Sequence, residues 1–150
     1  KIYSNKIIEE FKILKIYPST LNIEIKKTKF LAITKKNDND FLIGQNGKLI
    51  ETQNSSLDLP YLFGNINIEN FLNFKKLIDD SYFDFNEIKK LLYFKSNRWD
   101  IITKYGLTIK MPYDLTVKKL NIIFKIIHKD DFKDTNVIDF RQNNMMIINE

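Results

Sequence analysis

Strict period-two alternation is the feature that most limits what this chain can become. In LNIEIKK, residues 21–27, Leu21, Ile23 and Ile25 point one way and Asn22, Glu24 and Lys26 the other. A two-residue repeat puts one kind of side chain on each face of a strand, and it cannot gather an apolar stripe on a helix. The segment is therefore a strand with one face in water. FLAI, residues 30–33, extends it after a bulge or bend. Tyr17-Pro18-Ser19-Thr20 precedes it as a turn, because proline presets one dihedral and the hydroxyls bond nearby backbone.

Similar signals recur along the chain. In residues 2–16, IYSNKIIEEFKILKI, Ser4 or Asn5 can cap a helix and Ile7, Ile8 and Phe11 recur at helical spacing. A short amphipathic helix running into a strand is expected there. KKNDND, residues 35–40, reads as a polar loop and a candidate boundary. FLIGQNGKLIE reads as a hairpin turning at Asn46-Gly47, with positive φ at both positions of a type I′ turn. LDLPYLFG is an extended segment ending in a turn. IENFLNFKKLIDDSYF places Ile68, Phe71, Leu72, Phe74 and Leu77 or Ile78 on a helical stripe. NEIKKLLYF fits a helix or the start of a strand. RWDIITKYGLTIKMP reads as a second hairpin, with Trp99, Ile101 and Thr103 alternating before a turn at Tyr105-Gly106. LTVKKLNIIFKIIHKDD is a helix with Leu115, Leu120, Ile123, Phe124 and Ile127 inward.

Chemistry is harder to find than structure. The chain has 150 residues, 43% hydrophobic, enough for one ordinary core or two small ones. No apolar run reaches membrane-spanning length; LNIIFKII is interrupted by lysine. The first residue is Lys1, which suggests a piece of something longer. The net charge of +5 comes from lysines scattered among acids, without the arginine-rich or glycine-aromatic pattern of a nucleic-acid binder. With no cysteine there is no disulfide and no thiol catalysis. GQNGK lacks the spacing and terminal Ser or Thr of a phosphate loop. His128 with Asp130 and Asp131 has the donor types for a metal, but a lone histidine after a helix is ordinarily a surface residue favoured by the helix dipole. Asp79-Asp80 and Asp38 with Asp40 read as solvated acids. No catalytic, cofactor or metal residue is expected, so the chain should work by contact.

The stretch best suited to contact is TNVIDFRQNNMMII, residues 135–148. It opens like a half-buried strand, with Ile138 and Phe140 opposite Asp139 and Arg141, and ends apolar on both faces. A core accounts for one greasy face. The other is either central-strand core or an edge that accepts a further strand.

Several segments together resemble the extracytoplasmic part of the bacterial cell-division family FtsQ/DivIB. They are YPSTLNI at Tyr17 to Ile23, FLIGQNGKLI, LPYLFG at Leu59 to Gly64, RWDIITKYG at Arg98 to Gly106, the Lys118 to Leu120 helix motif, and IDFR at Ile138 to Arg141. The resemblance implies an α+β fold, a bent antiparallel sheet with helices on one face. It implies the C-terminal half of a POTRA-like module in residues 1–33, helix then strand pair, and the family's β domain in 34–150. It further implies a non-enzymatic divisome scaffold without cofactor, binding FtsB and FtsL by strand addition to the last strand and contacting other divisome proteins. The parent would be held by one helix in the inner membrane, with this region in the periplasm. Arg141 matches the family's arginine, expected to meet a partner carboxylate or to pair internally with Asp139 or a loop acid. Gln142, Asn144, Met146 and Ile148 would line the docking strand, with Ile126 on the preceding helix beside them. Gln142 and Asn143-Asn144 stand where many members carry an aromatic or small residue and then glycine. A competing reading is a POTRA-type peptide-binding domain of an outer-membrane transporter.

Overall fold

The structure, a computed structural model, describes residues 5–53, 57–65, 67–129, 135–142 and 146–149. They divide into two compact units, Lys1–Leu57 and Asp58–Glu150.

The described residues of the first unit form strands and turns. β1 (Ile8–Ile16) and β2 (Thr20–Lys27) form an antiparallel hairpin in which Phe11 faces Ile25 and Ile13 faces Ile23. β3 (Phe30–Lys36), β4 (Asn39–Gly44) and β5 (Leu49–Thr52) form an antiparallel meander whose core is Ala32, Ile33, Leu42 and Ile43. The helix expected in residues 2–16 is instead strand from Ile8. A register shift between Ile8 and Glu10 explains the misreading. A bulge adds one residue to one side of a ladder, so apolar side chains on one face fall three apart and imitate a helical repeat.

Turn chemistry also differs in place. Asn37 (φ 49°) and Asp38 (φ 64°) both take positive φ, and Lys36 pairs with Asn39 around them. KKNDND is thus a tight two-residue hairpin turn of the primed kind that suits strand twist. At the Asn46-Gly47 turn only Gly47 is left-handed, at φ 74°. Asn46 is occupied otherwise: its amide group donates to the carbonyls of Lys6 (3.0 Å) and Ile8 (3.3 Å), and its Oδ1 accepts from Lys48 N–H (3.1 Å). Its own N–H meets the buried Thr28 hydroxyl at 3.3 Å. The turn therefore fastens the start of β1 to the meander.

Among the described residues the second unit carries six strands and two α-helices. In chain order these are β6 (Tyr61–Phe63), α1 (Ile68–Asp79), β7 (Ile88–Tyr93), β8 (Trp99–Thr103), β9 (Thr108–Lys110), α2 (Val117–Ile127), β10 (Val137–Asp139) and β11 (Ile147–Asn149), with a short 3-10 turn at Phe85–Glu87. Their spatial order is β11-β10-β9-β8-β7-β6. The fold is α+β, and its sheet is mixed: β6 with β7 and β9 with β10 run parallel, the other pairs antiparallel. Each parallel pair is joined through a helix. Both crossovers step the same way across the sheet from strands of the same direction, so right-handed connection puts α1 and α2 on one face.

Beneath the helices lies a single register row. Leu62 pairs Leu91, Leu91 pairs Ile101, Ile101 pairs Ile109, Ile109 pairs Ile138, and Ile138 pairs Ile148. Its first five members are at most 1% exposed. From the helices come Phe71, Phe74 and Ile78 of α1 and Leu120, Ile123 and Ile127 of α2, and Phe74 stacks on Trp99 at 4.4 Å. Both helices start where a side chain can take up a free amide: Asn67 Oδ1 accepts from Glu69 N–H, and Thr116 Oγ1 from Lys119 N–H. NEIKKLLYF, open to either reading, resolves as β7. A shift between Ile88 and Lys90 places the buried Ile88 and Leu91 three apart, again by a bulge.

Candidate partner-binding edge

The 135–148 stretch is two strands rather than one. β10 is enclosed, with β9 parallel on one side and β11 antiparallel on the other. The free side belongs to β11, which pairs with β10 alone among the described residues. In an antiparallel edge strand, alternate residues turn their N–H and C=O outward, so β11 offers an unpaired backbone row.

Side chains distinguish this edge from an ordinary one. Ile148 closes the buried row, opposite Ile138, yet is 41% exposed, because no strand lies beyond it among the described residues. Ile147, on the other face, is 45% exposed. Among the described residues the core of this unit is open at its β11 end. α2 adds to the opening. Its Phe124 flank meets Tyr82 and Phe83 just past α1, and Asn121 Oδ1 accepts from Tyr82 N–H at 2.8 Å. At 100° per residue, Ile122 and Ile126 lie on the opposite flank, away from α1 and toward the β11 side of the sheet. Ile122 is 49% exposed, and Ile126 is half-buried.

The expected residues are distributed around this edge. Arg141 and Gln142 are exposed at the end of β10, Met146 is half-buried just before β11, and Ile148 lies in it. Asn144 falls outside the described residues. Ile147 and Ile122 were not foreseen; the signal for Ile122 was its place one helical turn before Ile126.

Arg141 is held from within. Its Nε donates to both carboxylate oxygens of Asp139 at 2.9 and 2.8 Å, and its Nη2 donates to Oδ2. Asp139 Oδ1 also accepts the backbone N–H of Arg141 at 3.0 Å. These hydrogen bonds hold the Asp139 carboxyl below its ordinary pKa and raise that of Arg141. The guanidinium still has donors beyond those facing Asp139, and its side chain is 43% exposed against 10% for Asp139. Asp139 therefore fixes Arg141 in place while leaving part of its donor fork to solvent. One strand pairing further in, Lys110 stands opposite both Asp139 and Asp100. Burial pushes the Asp100 carboxyl up, opposed by Arg98, whose Nε lies 3.2 Å away.

Elsewhere among the described residues, the titratable groups do not gather into a metal-ligand cluster. His128 caps α2, stacks on Phe124 at 4.0 Å and lies 2.9 Å from its carbonyl through Nδ1. Asp130 and Asp131 fall outside the described residues. Among the described residues no three His, Cys, Asp or Glu side chains stand together as metal ligands. No described helix is long and apolar enough to cross a membrane.

Comparison with known proteins bears on this arrangement. The family model described as cell division protein FtsQ/DivIB, C-terminal, matches residues 32–141, well over half of the chain. Among solved structures the fold is similar to the major extracytoplasmic domain of the trans isomer of the bacterial cell division protein DivIB from Geobacillus stearothermophilus. That likeness has a TM-score of 0.50 at 15% identity, covering 72% of this chain and 98% of that one. A comparison with curated proteins found no match.

Proposed function

The chain belongs to the FtsQ/DivIB family of cell division proteins, and on that premise we propose that it is a non-enzymatic divisome scaffold that recruits FtsB, with FtsL, by taking on a strand at the outer edge of β11. The observation that carries this reading is the half-exposed Ile148 at the end of an otherwise buried row. A strand laid along β11 with an apolar residue opposite Ile148 would complete the row. Each added backbone hydrogen bond contributes only about 1 kcal/mol net, so side chains set the choice of partner. Ile126 and Ile122 supply a second apolar contact on the helix side, and Met146 adapts to an irregular surface. Arg141, aligned by Asp139, offers its outer donors to a partner carboxylate, a geometry suited to a guanidinium fork. Gln142 and Asn144 complete the proposed contact set along the connection between β10 and β11.

The same reading places residues 1–33 as the end of a POTRA-like module and 34–150 as the β domain. The parent protein would be held in the inner membrane by a single helix outside this chain, with this region in the periplasm and further divisome proteins in contact with it. The DivIB domain of similar fold is extracytoplasmic, which agrees with that placement.

The test is capture of a synthetic FtsB extracytoplasmic segment, followed by fluorescence anisotropy. Ile148→Asp should weaken capture at least about tenfold, while Ile13→Asp on the exposed β1–β2 hairpin leaves it unchanged. Equal affinity for wild type and Ile148→Asp would rule out the β11 edge.

A further inference from the structure

A second surface of the Asp58–Glu150 unit has a different chemistry. A groove of about 230 Å³ runs between α1, the start of β8 and the segment entering α2. Its lining includes Asn70 and Asn73 of α1, Tyr93, Asn97, Trp99 and Tyr113. In a chain with 24 Lys and Arg and 19 Asp and Glu, none of the nine groove residues is one of these four. Amides and aromatic rings without charge are an unusual combination on such a surface.

The amides are ordered. Asn70 Nδ2 donates to the Tyr93 hydroxyl at 3.1 Å, and that hydroxyl donates to Asn97 Oδ1. Asn97 sits in the β7–β8 turn at φ 58°, a left-handed conformation that asparagine tolerates better than most residues. This relay does not use the Asn70 oxygen or the Asn97 amino group, and Asn70, Asn73 and Asn97 are all exposed residues. Tyr113 lines the groove and is 67% exposed, so its ring is accessible from solvent. Trp99 and Phe74 stack on one another below and form the floor.

We propose that this groove binds an uncharged, hydroxyl-rich saccharide. One sugar ring would stack its C–H face on Tyr113, with its hydroxyls bonded by the Asn70, Asn73 and Asn97 amides. An anionic ligand would find no cation in the lining. An apolar one would cover the Asn70 oxygen, the Asn97 amino group and the Asn73 amide without bonding them, which is costly once water is displaced. The size suits one ring, so affinity should be weak, with a dissociation constant on the order of 1 mM.

The chain's single tryptophan, Trp99, lines the groove and reports on it directly. Titration with tetra-N-acetylchitotetraose and with maltotetraose, followed by the Trp99 indole N–H signal in NMR spectra, should give saturable shifts with at least one of them. A heparin tetrasaccharide should give none. Tyr113→Ala and Asn97→Ala should each weaken binding at least about fivefold, and Tyr113→Phe should preserve it, because stacking needs the ring and not the hydroxyl. Tyr105→Ala, beyond the far end of β8, should have no effect. The free-state indole signal of each variant verifies that the groove is intact. Silence with both neutral sugars, equal response to heparin, or full binding by Tyr113→Ala would overturn the proposal.

Discussion

The β1–β2 hairpin and the β6–β11 sheet are built from the same kind of sequence and differ in what lies against them. Every residue of β2 is exposed, Ile23 and Ile25 included, at 42% and 52%. In β8, Trp99, Asp100, Ile101 and Thr103 are all buried. Alternation fixes which side chains share a face, and cover for that face must come from another element. α1 and α2 cover β6 to β10. Nothing among the described residues of the first unit covers β2. β11 lies between these cases: it continues the buried row, but half of Ile148 stays in water.

The sharpest way to break this contrast is by truncation. Ile101→Ala, in the middle of the row, should destabilise by about 2–5 kcal/mol through lost transfer energy and the cavity left behind. Ile23→Ala in the hairpin should stay within about 0.5 kcal/mol. Urea unfolding followed by circular dichroism measures both, and equal losses would mean the hairpin is covered in solution. A smaller effect is expected at Gly64, where φ is 113° and an added Cβ would sit 2.3 Å from the Tyr93 carbonyl oxygen. Gly64→Ala should cost about 1–3 kcal/mol in the same experiment, since the β6–β7 contact has to open.

The smallest effects separate the two buried carboxylates. Asp139 has a depressed pKa in the folded chain, so its contribution is complete above the ordinary value of 3.8 and is lost as pH falls through the lower folded value. Asp100 has a raised pKa, so its contribution declines as pH rises through the window just above 3.8. Asp139→Asn should therefore flatten the loss of stability in acid, and Asp100→Asn should steepen it. Melting temperatures across pH 3 to 6 read the sign directly, and changes of the same sign would refute this assignment.

Much of this was legible in the residues. The helices at Ile68–Asp79 and Val117–Ile127 and the β8–β9 hairpin follow from periodicity and turn chemistry, because each buries one continuous face. Where a strand imitated a helix or left the choice open, bulges were the cause. At Ile8/Glu10 and at Ile88/Lys90 one extra residue slips the alternation and spaces apolar residues three apart, the spacing of a helix. The proposed partner edge was legible as an apolar ending but not as a fold-back. MMII gives no sign that β10 is enclosed and that β11 carries the free backbone; that depends on pairing with β9, far earlier in the chain. The pairing of Arg141 with Asp139 was one of several readings open, beside a loop acid and a partner carboxylate; the geometry shows that pair and leaves the side chain 43% exposed.

Not every outer strand is equivalent. β5, at the edge of the β3–β5 meander, carries the exposed Glu51, which accepts from Asn39 Nδ2 at 2.8 Å. A charged side chain of that kind discourages pairing, whereas β11 has two half-exposed isoleucines. Hydrogen exchange of the backbone amides, with and without the FtsB segment, therefore tests strand addition most directly. Strand addition should give new protection within Ile147–Asn149, alternating along the strand, with β5 unchanged. Tight binding that leaves the β11 amides exchanging as before, or that protects β5 instead, would contradict it.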